Sequence, residues 1–220
     1  MPIQVKICGI KCVESADAAV RAGADFVGLV FQKASHRYIG LERSAAIARH
    51  LRGRVRVTAL MVDPSDDEVG VVARDVAPDF LQLHGRETPA RVAELVSRFR
   101  IPAIKAFGIA EASDLARVPA YDDVAAMFLL DAKPPASAVT PGGHGIAFDW
   151  QLLRGRNFSR PWLLAGGLDP ENVARAIAVS GAPGVDVSSG VESAPGVKSP
   201  DLIRNFIDNA RNAQFASTDT

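Results

Sequence analysis

A thiol, a carboxylate and two glycine-rich turns are the parts of this chain that can do chemistry together. Cys8 closes the run Ile3-Gln4-Val5-Lys6-Ile7-Cys8. The run alternates apolar and polar residues, as a short β-strand does. Ile3, Val5 and Ile7 then share one face, and Gln4, Lys6 and Cys8 the other. A thiol at a strand tip beside a lysine is a candidate base, because a neighbouring cation favours the thiolate. Taken alone, it reads as well as a small buried side chain. Asp131 follows the apolar run Ala125-Ala126-Met127-Phe128-Leu129-Leu130. Desolvation at such an edge favours a protonated carboxyl, which suits a general acid. Gly166 and Gly167 follow one apolar run, and Ser188, Ser189 and Gly190 follow another. Glycine in such turns lets backbone N–H groups close on an anion such as phosphate. Arg37 lies in the polar stretch 32–38 and offers a planar fork for a carboxylate. Gln82 and His84 share one face of the run Phe80–His84.

These residues need a scaffold that brings distant strand ends to one rim. Strand-like runs fall at residues 3–8, 26–31, 55–62, 80–84, 101–107, 124–131, 161–165 and 185–187. Helix-like stretches separate them at 12–22, 42–52, 65–76, 88–100 and 111–118, briefly from 148, then at 169–179 and 199–214, with Gly23 and Gly53 as stops. Strand-then-helix alternation demands a parallel sheet with helical crossovers. Eight units of roughly 27 residues match a compact single-domain α/β (β/α)8 barrel, a TIM barrel, over residues 1–215, with a frayed tail at 216–220. A doubly wound open sheet is the alternative, but no G-x-G-x-x-G fingerprint follows the first strand. In a closed barrel strand eight lies beside strand one, so Lys6 and Asp186 are placed to pair inside it.

Composition narrows the function. Lys+Arg and Asp+Glu each number 25, so there is no global field to attract nucleic acid or an anionic membrane. No apolar run reaches the length of about 20 residues that spans a bilayer. The N-terminus lacks a signal peptide's pattern, so the expected location is cytoplasmic. Cys8 and Cys12 have no matching ligand pair downstream, which argues against zinc. Cys12 falls in the first helix and reads as a packing or surface thiol.

The chain resembles the phosphoribosylanthranilate isomerases of tryptophan biosynthesis nearly end to end. The stretches that carry the likeness are Lys6–Ile10, Gly23–Asp25, Ser35–Tyr38, Leu81–Gly85, Leu129–Asp131, Gly142–Gly145 with Phe148–Trp150, Leu164–Leu168 and Gly184–Glu192 with Pro195-Gly196. His144 departs from the small hydroxyl residue usual there, and Ala34 and Ser35 stand where proline is frequent before the arginine.

The resemblance implies an Amadori rearrangement of N-(5-phosphoribosyl)anthranilate to 1-(2-carboxyphenylamino)-1-deoxyribulose 5-phosphate. It makes Asp131 the general acid and Cys8 the general base. Arg37, Gln82, His84, Gly143 and Gly145 are expected to contact substrate, and Gly166, Gly167, Ser188, Ser189 and Gly190 its phosphate. The cation Lys6 nearby, or positive charge developing on the substrate, is expected to raise the thiolate fraction of Cys8. No metal or other cofactor is expected, and the only expected partner is the small phosphoribosyl substrate. The expected state is a monomer or weak homodimer. Two other readings are a different phosphosugar isomerase on the same barrel, which would more often pair two aspartates, and a non-catalytic phosphate-binding barrel.

Overall fold

A computed structural model describes residues 2–133 and 148–216, side chains through 213. Eight parallel strands close into a barrel in the order β1 to β8, with β8 pairing back onto β1. They are β1 (Gln4–Cys8), β2 (Phe26–Val30), β3 (Arg56–Met61), β4 (Phe80–Leu83), β5 (Ala103–Ile109), β6 (Met127–Ala132), β7 (Trp162–Leu164) and β8 (Gly184–Val187). The helices are α1 (Val13–Ala22), α2 (Leu41–Leu51), α3 (Asp66–Asp75), α4 (Pro89–Phe99), α5 (Val173–Ser180) and α6 (Pro200–Ala216). Local chemistry sets their ends. Ser65 and Glu68 form a capping box at α3. Thr88 caps α4, with Pro89 in its first turn. Gly23 ends α1 at φ +90°, where a side chain would be strained.

Strand alternation sorts the side chains into two cores. One face of the sheet packs under the helices and carries Val5, Ile7, Leu81, Leu83, Phe107 and Phe128 among others. The other face fills the barrel with Phe26, Ile104, Met127, Leu129 and Leu163, with Phe80 packed against them. The barrel is therefore a plugged core. Of the polar inward residues, Cys8, Gln82 and Asp131 lie toward the C-terminal ends of their strands.

Three elements depart from expectation. The stretch read as a helix at 111–118 is a 3₁₀ helix, Ala112–Tyr121, and Pro119 within it removes an α-helical donor. The helix expected from Phe148 is a single 3₁₀ turn, Trp150–Leu153, capped by Asp149. Between β8 and α6, where the sequence reading assigns no element beyond the turn at 188–190, a 3₁₀ turn (Ser189–Val191) leads into a small hairpin of β9 (Glu192–Ala194) and β10 (Val197–Lys198).

Candidate active site

Cys8 is the last residue of β1 and is almost fully buried. Directly across the β1–β2 ladder stands Gly28. A Cβ there would lie 2.7 Å from the Cys8 sulfur, so the thiol occupies space that only glycine leaves open. The Gly9 and Ile10 N–H groups both donate to the Gly28 carbonyl, at 2.9 and 3.0 Å, closing the turn after the thiol. Two residues below, Lys6 is fully buried and pairs with Asp186 at 2.8 Å, the pairing that barrel closure predicts.

The electrostatics at Cys8 run against the first of the two expected sources of thiolate, the Lys6 cation. Burial pushes its thiol up, Lys6 and Lys198 pull it down, and Asp186 pushes it up again; the outcome is a raised pKa. Lys6 therefore does not raise the resting thiolate fraction above that of a free thiol. Desolvation outweighs it, and the Asp186 carboxylate that holds the lysine also opposes ionisation of the sulfur. Lys6 is itself pulled down by burial, but Asp186 overcomes this and the ammonium is firmly charged.

Arg37 is buried rather than solvated. Its Nε and Nη2 donate to the two carboxylate oxygens of Glu192, at 2.7 and 3.0 Å. Lys198 donates to the same Glu192 at 2.8 Å and to the Ser188 carbonyl at 2.8 Å. Ser188 Oγ donates to the Cys8 carbonyl at 3.1 Å. One hydrogen-bonded chain thus runs from the thiol's backbone through the loop after β8 to the guanidinium. Burial alone would raise the Glu192 carboxyl, but Arg37 and Lys198 pull it down to about 2. Glu192, Lys198 and Gly28 had no role in the sequence reading. Glu192 sits in a quoted motif, but nothing local says that it faces a residue 155 positions earlier.

Asp131 lies within β6, also almost fully buried. The Ala132 N–H donates to its Oδ1 at 2.8 Å, and His84 Nε2 lies 3.3 Å from Oδ2. Gln82 Nε2 lies 3.1 Å from His84 Nδ1, and Gln82 is fully buried. Gln82 thus reaches the site through His84. Gly166, at φ +91°, stands against Asp131, where a Cβ would come within 3.0 Å of Oδ1. Gly167 also has positive φ, at +64°. A Cβ on Gly190 would collide with the Leu168 backbone and come within 2.8 Å of the Asp169 Cα. Glycine there lets the loops after β7 and β8 meet backbone to backbone.

The structure brings Cys8, Arg37, Gln82, His84, Asp131, Gly166, Gly167, Ser188, Ser189 and Gly190 to the C-terminal half and rim of the barrel. Gly143 and Gly145, and His144 between them, lie outside the described residues. A cavity of about 220 Å³ opens at this rim between His84, Lys105, Phe107, Arg117, Tyr121 and Asp131. A larger recess of about 440 Å³ lies at the opposite end of the barrel, among Asp25, Arg52, Arg56 and Asp79. It touches none of the candidate residues, so the rim site is the chemically coherent one. Among the described residues, no group of three or more His, Cys, Asp or Glu side chains is gathered to hold a metal. None of the described helices is long and apolar enough to cross a membrane.

The family model for N-(5'-phosphoribosyl)anthranilate (PRA) isomerase matches residues 5–209. The chain belongs to this family. It is 53% identical over 217 residues to the N-(5'-phosphoribosyl)anthranilate isomerase of Rhodopseudomonas palustris strain BisA53, covering 99% of this chain and 100% of that one. The crystal structure of phosphoribosyl anthranilate isomerase from Thermotoga maritima superposes with a TM-score of 0.86 at 39% identity, over 96% and 99% of the two chains. Another family structure, solved in complex with reduced 1-(o-carboxyphenylamino)-1-deoxyribulose 5-phosphate, gives 0.83 at 37% identity, again over 96% and 99%.

Proposed function

We propose that Asp131 and Cys8 are the acid and base with which this chain carries out the family's reaction. That reaction is the Amadori rearrangement of N-(5'-phosphoribosyl)anthranilate in tryptophan biosynthesis. The observation that carries the assignment is that β7 and β8, with their joined loops, separate Asp131 on β6 from Cys8 on β1. A phosphate held by Gly166, Gly167, Ser188, Ser189 and Gly190 has the acid on one side and the base on the other. Asp131 protonates the ribose ring oxygen as its bond to C1 breaks. The resulting iminium acidifies the C2 proton. Cys8 takes that proton, giving an enolamine that tautomerises to the ketone. The thiol is protonated at rest, so the iminium's positive charge, with Lys6 and Lys198, is what draws it toward thiolate, its S–H proton passing to water before C2–H is taken.

Arg37 takes the anthranilate carboxylate. Glu192 already uses Nε and Nη2, so the substrate is met by Nη1, on a fork that is held rigid before it arrives. The chain is read as a cytoplasmic enzyme with one barrel domain over residues 1–215. It acts as a monomer or weak homodimer; Tyr38 and Val197 are the large hydrophobic residues that stand exposed among the described ones. Sedimentation velocity across concentrations tests that state.

Steady-state kinetics of purified variants test the roles. Cys8→Ala and Asp131→Asn should each lose roughly 10²–10⁴-fold in kcat with unchanged circular dichroism. Near-normal turnover in either removes that residue from its role. Arg37→Ala should act mainly on KM. Complementation of a tryptophan auxotroph lacking this isomerase, with and without Cys8, tests the activity in a cell.

A further inference from the structure

Asp131 is held in a way that suits its anion. The Ala132 N–H points at Oδ1 and a ring nitrogen of His84 at Oδ2. Yet the reaction asks this carboxyl for a proton. A free carboxylic acid, with a pKa of about 4, has lost its proton at neutral pH, whereas imidazole holds one up to roughly 6.5. Behind His84, the Gln82 amide lies 3.1 Å from Nδ1. Gln82 is fully buried, and its Oε1 has no partner among the described residues. Such an orphaned buried acceptor is costly unless some other state of the site uses it.

We infer that His84 and Gln82 are positioning residues that load Asp131 with its proton, an inference that rests on Asp131 being the acid. In the unloaded state Gln82 Nε2–H donates to His84 Nδ1. Nε2 then carries the ring proton and donates to the Asp131 carboxylate. Loading adds one proton at Nδ1, and the proton on Nε2 passes to Oδ2. Nδ1–H now needs an acceptor, and the Gln82 amide supplies Oε1 by turning over. A primary amide presents donor and acceptor at one place, which neither a hydroxyl-free apolar residue nor a lysine does. The proton leaves Oδ2 for the ring oxygen of the substrate as the C1–O bond breaks, which leaves the ring as its Nδ1–H tautomer; exchange with water removes the Nδ1 proton and returns one to Nε2, and the amide turns back to restore the unloaded state. One proton enters and one leaves.

Several charged groups face His84 from the elements packed around it. Arg86 lies on its own loop, Lys105 on β5, Arg117 on the 3₁₀ helix, and Tyr121 closes the same cavity with Asp131. Asp63 caps the following turn through the Arg86 N–H, and Glu87 is bound to Lys105 at 2.8 Å.

The test compares His84→Gln, Gln82→Leu and the double variant. Removing the imidazole leaves a lone carboxyl as the acid, so the alkaline limb of the kcat profile should move to lower pH in His84→Gln. At about pH 8 its kcat should fall by roughly 10²-fold with KM nearly unchanged. Gln82→Leu should move the limb the same way by less. The double variant should be no worse than His84→Gln, because Gln82 acts only through the ring. The imidazole ¹⁵N–¹H spectrum of unliganded wild type in alkaline buffer should show His84 as the Nε2–H tautomer, and Gln82→Leu should mix the two. An unmoved limb in His84→Gln, a rise in KM with kcat retained, or an Nδ1–H tautomer in the wild type overturns the inference. The spectrum and the His84→Gln profile decide it even if Gln82→Leu does not fold. Full turnover in Asp131→Asn would instead remove the acid assignment beneath it.

Discussion

Adding one methyl group at Gly28 tests whether the position of the Cys8 sulfur matters to turnover. Gly28 is fully within β2 and carries no positive φ, so alanine brings no backbone strain of its own. Gly166 beside Asp131 would confound the same test, because its φ is +91°. An alanine Cβ at 28 would sit 2.7 Å from the Cys8 sulfur, 3.1 Å from the Cys8 Cα and 3.2 Å from the Lys6 ammonium. Non-bonded heavy atoms settle at about 3.5–4.0 Å, so the sulfur must give way by about 1 Å. Neither Cα can move far inside a parallel ladder, so the thiol has to rotate away from its present direction. Overpacking of this kind costs about 1–3 kcal/mol. In a chain of this length that is a fall in Tm of roughly 2–4 °C per kcal/mol. A reacting group misplaced by about 1 Å costs on the order of 10²-fold in rate. Gly28→Ala should therefore remain folded, lose about 10²-fold in kcat, and keep KM close to wild type, because the phosphate loops and Arg37 are untouched. Initial rates and a thermal melt measure both quantities. A folded Gly28→Ala enzyme with kcat within about threefold of wild type would refute the reasoning, since the thiol could then do its work from a displaced position.

Two further measurements follow from the charges. Glu192 is depressed to about 2 from an ordinary 4.5, so its stabilisation is fully present above the unfolded value and is lost as pH falls from 4.5 through about 2. By linkage the amount is on the order of 3 kcal/mol. Glu192→Gln should flatten the stability–pH curve across that window and, by releasing Arg37, raise KM; chemical denaturation at a series of pH values shows whether it does, and an unchanged slope counts against it. The Cys8 thiol, raised by burial above its ordinary 9.0, should react with iodoacetamide in a Cys12→Ser background with an inflection above that value. An inflection at or below 9.0 would mean that the lysines, not desolvation, dominate there.

The legible parts of the fold were those written in local periodicity. Alternation at 3–8 predicted which face of β1 turns inward, and the count of strand–helix units required closure. Closure in turn placed Lys6 opposite Asp186, 180 positions away. Local signals failed where tertiary contact decides the element. The β9–β10 hairpin has strands of 3 and 2 residues, too short to carry a pattern. What holds it in place is Glu192 reaching Arg37 and Gly196 lying against the His36 carbonyl, and both are contacts with a loop more than 150 residues away. Likewise, strand parity put Gln82 and His84 on one face, but parity carries no depth. That the glutamine is sealed beneath the histidine, and not alongside it, depends on the Phe26, Ile104 and Leu163 layer filling the barrel below.

The sign of the effect at Cys8 shows the same limit and bears on the chemistry. Sequence gives the lysine two residues away, and a neighbouring cation alone predicts an activated thiol. The fold supplies the burial and the Asp186 carboxylate, and both oppose ionisation. A base that is a protonated thiol at rest cannot take the C2 proton until something favours its anion. On the proposed mechanism that something is generated by Asp131: protonating the ring oxygen creates the iminium, and the iminium's charge both acidifies C2–H and stabilises the thiolate. The acid step therefore gates the base step. Even a thiol already ionised at rest would meet a C2–H that is not acidic until the iminium forms, so Asp131→Asn should show no exchange of the substrate C2 proton with solvent deuterium. Exchange at C2 in that variant would show that a group other than Asp131 opens the ring.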